Sequence, residues 1–208
     1  MQFFEIITLV IHIVAGYLAL TAGAIAMLTQ KGGKRHRAWG RLFYYSMIAV
    51  AVSALVSSFT KEIYFLFFIG VFVFYQNHGG WRALQNKSLV PNFTDWFILT
   101  IAFANGLAMI ASGEVVLLVF GIISMVLVAT DLRLYILTLR NKELPKKAWL
   151  AKHIGMMMGA YIGTFTAFLV VNIKMVQPYW LLWLAPTILL VPLMQYWTWK
   201  YTKKTLQL

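Results

Sequence analysis

The stretch Val115–Leu139 has the sequence VVLLVFGIISMVLVATDLRLYILTL and decides the class of fold. It runs for 25 residues, and Asp131 and Arg133 are its only charged side chains. A helix rises about 1.5 Å per residue, so a stretch of this length can cross the ~30 Å hydrocarbon core of a bilayer. The stretch therefore predicts a transmembrane helix.

The composition of the whole chain also indicates a membrane protein. The 208 residues are 61% hydrophobic and 12% charged, whereas soluble domains are ~45–50% apolar and ~25% charged. Six further apolar runs lie at 3–28, 42–59, 63–75 with a polar continuation to 84, 96–112, 153–171 and 180–197. We therefore predict an all-α, polytopic integral membrane helix bundle of about seven transmembrane helices, forming a single domain over 1–208.

The basic residues predict the orientation of this bundle. Except for Lys61 and Lys174, every Lys and Arg falls in connections and helix ends that the alternation of helices places on one side. Cytoplasmic loops carry an excess of Lys and Arg, so we expect the amino terminus outside and the carboxyl terminus in the cytoplasm. The net charge of +12 lies in short clusters between apolar runs, which predicts contact with anionic lipid headgroups and no nucleic-acid partner.

Four ionisable side chains are predicted near the cytoplasmic boundary: His36, His78, Asp131 and His153. Such groups are costly at membrane depth, so each is a candidate ligand or proton carrier. An acid there needs a donor, and we expect a histidine to supply it. We also expect His78, Asp131 and His153 to converge around one cavity open to the cytoplasm. The alternatives are a structural ion pair at Asp131 and histidines that only meet water or lipid headgroups.

A second polar set lies deeper in the predicted bilayer and forms a candidate polar cavity of His12, Gln76, Asn77 and Asn105. His12 and Asn105 are expected at about the same depth, where a hydrogen bond between them would remove the cost of an orphan polar group. Gln76 and Asn77 precede two glycines at 79–80, which we expect to break the third helix. The alternative there is an ordinary helix end at the interface.

Glycines in the sixth run predict helix packing. Gly155, Gly159 and Gly163 recur every four residues, and small residues let transmembrane helices approach closely. We expect these glycines to form a contact ridge. At the start of the fourth run, Asp95 is expected to cap its helix.

Two segments resemble a known family. They are HIVAGYLALTAG at 12–23 with GGKRHRAWGR at 32–41, and KHIGMMMGAYIGT at 152–164. Both resemble the bacterial predicted membrane proteins called domain-of-unknown-function family 2306. The resemblance implies a multi-pass protein of a cell membrane, expected to be the bacterial cytoplasmic membrane, without an established activity. The loop around His36 also looks like loops of membrane b-type cytochromes, which bind haem between helices through histidine pairs.

The sequence leaves three functions open. The first is a membrane redox protein that holds one b-type haem, or a metal ion, near the cytoplasmic face. The second is a small proton-coupled transporter or permease, and the third is an accessory or assembly protein without a ligand. The chain has no cysteine, which excludes thiolate metal sites, iron–sulfur clusters and cysteine nucleophiles. Whether it is an enzyme, and which ligand, cofactor or oligomeric partner it binds, stays open.

Overall fold

A computed structural model of the protein describes residues 2–60 and 63–203. These residues form seven helices and no strand. The helices are α1 Gln2–Leu28, α2 Lys34–Thr60, α3 Tyr64–Gln85, α4 Phe93–Ala111, α5 Val115–Leu139, α6 Ala148–Asn172 and α7 Trp180–Lys203. The all-helical class and the number of helices predicted from the apolar runs are confirmed, and six of the seven helices are long and apolar enough to cross a membrane.

The helix ends differ from the predicted ones at three places. Helix α3 continues through Gly79 and Gly80 to Gln85, so the expected break at the two glycines is wrong. Helix α2 begins at Lys34, which puts His36 inside its first turn. Helix α6 begins at Ala148, so His153 lies in its second turn and does not open the helix.

Helix α3 is the centre of the bundle. It packs against α2, α4, α5 and α6, while α1 packs against α2 and α6, and α7 packs mainly against α6. Among the described helices, α3 is the one that does not reach the apolarity of a candidate span. Its polar side chains Gln76 and Asn77 are nevertheless 3% and 0% exposed. A helix that is shielded by its neighbours can carry polar groups that would be costly against lipid.

One end of the bundle, which we call the basic end, brings together the connections 29–33, 86–92 and 140–147 and the end of α7. Lys31 lies over the Trp197 ring, Lys87 lies over the Trp149 ring, and Lys147 donates to the Tyr201 carbonyl. Most of the described Lys and Arg residues lie here. Lys61 and Lys204 lie outside the described residues.

The glycines of α6 do not all have the same surroundings. A β-carbon at Gly163 would lie 2.9 Å from Cγ2 of Val73 on α3, and one at Gly159 would collide with the Gln76 side chain. At these two positions glycine permits the close approach of α6 to α3. At Gly155 a β-carbon would meet nothing within 4 Å. The expected contact role of Gly155 is therefore wrong, because this residue faces open space.

This contrast yields a stability prediction. Replacing Gly159 with Leu should force α6 away from Gln76 and cost ~1–3 kcal/mol by overpacking, which lowers the melting temperature by several degrees. Replacing Gly155 with Leu, one turn away, should leave the melting temperature unchanged or raise it. Thermal unfolding of both purified variants in the same detergent measures the difference, and equal losses would contradict the assigned contacts.

Candidate functional site

The most deeply buried charge in the described helices belongs to Asp131 on α5. Its side chain is 3% exposed, and Lys152 of α6 lies 2.8 Å away with 5% exposure. The Tyr75 hydroxyl of α3 donates a second hydrogen bond of 2.8 Å to the same carboxylate. One buried carboxylate therefore ties three helices together. Charges buried at such depth persist only when they are paired and hydrogen-bonded.

Lys152 also contacts a second tyrosine. Its ammonium group lies 3.4 Å from the Tyr135 hydroxyl and 5.0 Å from the centre of that ring. We expected a histidine to donate to Asp131. This expectation is wrong, because Lys152 and Tyr75 are the donors to the carboxylate. Sequence reasoning had assigned Lys152 to the basic boundary. Nothing in the sequence separates Lys152 from the other basic residues at that boundary.

A second ion pair joins the end of α3 to the start of α4. Arg82 makes two hydrogen bonds of 2.9 Å with Asp95. Asp95 also forms a capping box with Asn92, in which each side chain accepts from the backbone N–H of the other residue. The helix-capping role expected of Asp95 is confirmed, and the pairing with Arg82 is an additional role.

Two histidines face each other at the basic end. The ring centres of His36 on α2 and His153 on α6 are 6.5 Å apart, with the ring planes at 84°. Nδ1 of His36 lies 2.9 Å from the Ala26 carbonyl, and Nδ1 of His153 lies 2.9 Å from the Gly80 carbonyl. A carbonyl only accepts, so both Nδ1 atoms carry the proton. Each ring therefore keeps Nε2 as its ligating nitrogen, the arrangement typical of ligand histidines.

The distance between the rings of His36 and His153 can be compared with that of a metal-bridged pair. If one metal ion lay on the line between the two rings, ~2.0–2.1 Å from a nitrogen of each and with ~1.2 Å from nitrogen to ring centre, the ring centres would be ~6.5 Å apart. The described residues contain no group of three or more His, Asp or Glu that could hold a metal ion. Within the described residues the pair therefore offers two imidazole nitrogens and no complete protein-only coordination shell.

His78 is separate from this pair in its contacts. Its ring stacks on Phe74 with centres 6.0 Å apart, and its buried Nε2 has no hydrogen-bond partner within the described part of the chain. Lys152 couples Asp131 to the start of α6, next to His153. The convergence of His78, Asp131 and His153 around one cavity open to the cytoplasm stays a prediction.

The hydrogen bond expected between His12 and Asn105 does not form. Nδ1 of His12 lies 3.0 Å from the Ser53 hydroxyl, and that hydroxyl donates to the Ala49 carbonyl. Asn105 donates instead to the Phe68 carbonyl of α3 at 3.1 Å. The physical reason is the helix packing: α1 packs mainly against α2, which supplies Ser53, whereas α4, which carries Asn105, packs against α3 and α5.

The adjacent amides of α3 point to different neighbours. Asn77 donates to the Tyr44 carbonyl of α2 at 3.0 Å, which joins the two helices. Gln76 lines a cleft between α3, α5, α6 and α7. The described residues give the Gln76 side-chain nitrogen no hydrogen-bond partner. Of the polar residues grouped together from the sequence, Gln76 is therefore the one that faces this cleft.

Comparison with known proteins gives one match. The model of the family described as predicted membrane protein (DUF2306) covers residues 9–135. The chain belongs to the DUF2306 family. The family assignment agrees with the multi-pass helical bundle and establishes a membrane protein of unknown function. No curated protein and no solved structure matched the chain.

The DUF2306 match covers one half of the histidine pair and one half of the pair of Asp131 and Lys152. It contains His36 and Asp131, whereas His153 and Lys152 follow it on α6. The resemblance stated from the sequence to this family is confirmed over the matched residues. These two pairs depend on α6, which the match does not reach.

The ion pair makes a prediction for this DUF2306 protein. Lys152→Met and Asp131→Asn should each lower the free energy of unfolding by ~3–5 kcal/mol, because each leaves a buried charge without its partner. The double variant should lose less than either single variant, since neither charge then remains. SDS-induced unfolding in mixed micelles measures these losses.

A matched control for the ion pair is Arg133→Met, which removes an exposed charge two residues from Asp131. This variant should unfold like the unchanged protein. Additive losses in the double variant would contradict a direct pairing of Asp131 with Lys152.

Proposed function

We propose that the protein is a membrane redox protein that binds one b-type haem between His36 and His153. The observation that supports this function is the pair of imidazoles with centres 6.5 Å apart, each with Nδ1 bound to a backbone carbonyl. Haem brings four nitrogens of its own and needs only axial ligands from the protein. Two histidines without a third neighbouring ligand suit haem better than a bare metal ion.

The surroundings of the pair support the same function. The first turns of α2 carry the cations Lys34, Arg35, Arg37 and Arg41. These would offset the negative charge of the haem carboxylates at the basic end. His36 and His153 come from helices that both pack against α3. The pair therefore depends on the tertiary fold and not on a local motif.

The residues have separate tasks in this proposal. The Ala26 and Gly80 carbonyls hold the tautomer and orientation of the two rings, which raises the basicity of Nε2. A bound haem would supply one-electron chemistry, with a potential that depends on its axial ligands and on burial. The half-buried rings would keep bulk water from the axial positions. Asp131 and Lys152 would stabilise the start of α6, which carries His153.

We also propose the orientation and location of the bundle. Helix α3 would be the seventh span, because its 22 residues cover ~33 Å and its polar side chains are shielded by α2, α4, α5 and α6. The excess of Lys and Arg at the basic end supports a cytoplasmic position for that end. The amino terminus would then lie outside and the carboxyl terminus in the cytoplasm. The expected location is a bacterial cytoplasmic membrane.

The haem proposal predicts a visible spectrum. Protein produced with an ample haem supply and purified in detergent should show a Soret band that shifts on dithionite reduction, with about one iron per chain. His36→Ala and His153→Ala should each lose that band or convert it to a high-spin form, because one axial nitrogen is gone. His78→Ala is the matched control and should keep the spectrum. A colourless, iron-free protein would contradict the proposal.

The orientation proposal predicts the reactivity of single cysteines. The chain has no cysteine, so Lys34→Cys, Lys146→Cys, Lys203→Cys and Lys174→Cys each create a unique target. A membrane-impermeant maleimide added to intact cells should label position 174 and spare the other three. Labelling in the reverse pattern would overturn the assigned orientation.

A further inference from the structure

A cleft of about 530 Å³ runs between α3, α5, α6 and α7. One wall is the small-residue face of α6, formed by Gly155, Gly159 and Gly163. Ile122, Val126 and Ile188 also line the cleft, and they are among the exposed apolar residues of the protein. The cleft therefore opens sideways toward lipid. A molecule that enters it would come from the bilayer.

The wall of this cleft carries buried polar groups without partners. Gln76 is 3% exposed and Thr166 is 1% exposed. Nε2 of Gln76 and the hydroxyls of Thr166 and Thr187 find no hydrogen-bond partner among the residues that the structure describes. An unpaired buried polar group costs ~1–3 kcal/mol. Three such groups along one cleft indicate a ligand that brings hydrogen-bond acceptors.

The rest of the lining restricts the chemistry of that ligand. None of the described residues that line the cleft is charged, which favours a neutral molecule. Phe72, Phe120 and Trp183 present aromatic surfaces to it, which suits a flat ring. A phospholipid acyl chain would leave the polar groups unpaired, and its headgroup stays at the interface. The volume is that of a small-molecule site.

We propose that this cleft binds a neutral, lipid-soluble 1,4-quinone ring. Gln76 packs on Gly159, and Thr166 follows on the same face of α6, seven residues or ~10 Å further along the helix. If the two donor atoms are as far apart as this rise, two hydrogen bonds of ~2.9 Å leave ~5 Å between the acceptor oxygens. That spacing suits the two carbonyl oxygens of a 1,4-benzoquinone. Thr187 on α7 offers a further donor to the bound ring.

The quinone site also accounts for the glycines. Gly159 and Gly163 let α3 approach α6 closely. Gly155 has open space where a β-carbon would point, so this position leaves room in the cleft. The site lies about two turns of α6 from His153, at the level of Gly159. Binding in the cleft does not depend on the proposed haem, because no residue is shared between the two sites.

The test is saturable binding of a decyl-substituted 1,4-benzoquinone, radiolabelled, to the full chain in nanodiscs, with empty nanodiscs as background. Gln76→Leu and Thr166→Val each remove a donor with little change in volume, and each should weaken binding about tenfold. The matched control is Thr164→Val on the same helix. The Thr164 hydroxyl contacts Ala160 and Met47 and does not face the cleft.

The expected result has two parts. The Thr164→Val variant should bind within about twofold of the unchanged protein, and decylbenzene, which lacks the carbonyl oxygens, should not compete. Competition by decylbenzene as strong as by the unlabelled quinone would overturn the proposal, because the cleft would then take any alkyl chain. Absence of saturable binding would overturn it too, as would unchanged affinity in both the Gln76→Leu and Thr166→Val variants. These outcomes are independent of the haem spectrum.

Discussion

The pairing of buried polar groups around α3 is the constraint on which the structure depends. In lipid no water is present to satisfy a polar side chain, so a polar group without a partner inside the bundle is costly. Helix α3 carries Tyr75, Gln76 and Asn77 in succession, and none of the three is exposed. Tyr75 reaches Asp131 on α5, and Asn77 reaches the backbone of α2. The neighbours of α3 are thus selected by hydrogen bonds as well as by close packing.

The same constraint positions the two histidines. The Gly80 carbonyl of α3 holds the ring of His153, and the Ala26 carbonyl of α1 holds the ring of His36. At Gly80 a β-carbon would lie 3.0 Å from the Met157 backbone nitrogen, so glycine is needed where α6 crosses α3. The buried pair of Asp131 and Lys152 lies beside this crossing. A displacement of α6 would therefore change the ring separation at the proposed haem site.

The fold could be predicted from the sequence where the information is local. The length of a hydrophobic run shows directly whether a helix formed from it can cross a bilayer. The seven helices could therefore be predicted from the apolar runs alone. The break expected at Gly79 and Gly80 was wrong because tertiary contacts with α6 support a helix that these residues weaken in isolation. The sequence also placed His36 and His153 at the same predicted boundary, and their ring centres lie 6.5 Å apart.

The partners within the site could not be predicted in the same way. Asp131 and Lys152 are distant in the chain, and periodicity does not say which of several nearby donors reaches a carboxylate. The sequence around Lys152 fits a basic residue at the membrane boundary as well as it fits a buried one. The contact between His12 and Ser53 was likewise not predicted, because the sequence does not say which faces of α1 and α2 meet. The packing of α1 against α2, and of α5 and α6 against α3, decides these contacts.

The most direct test of the account is electron paramagnetic resonance of the oxidised, haem-supplied protein. The planes of the two imidazoles stand at 84°, and nearly perpendicular axial rings give ferric haem a strongly anisotropic low-spin signal. The account predicts one such signal per chain, lost when either His36 or His153 is replaced by Ala. A high-spin signal in the unchanged protein, or a low-spin signal that survives both replacements, would contradict it.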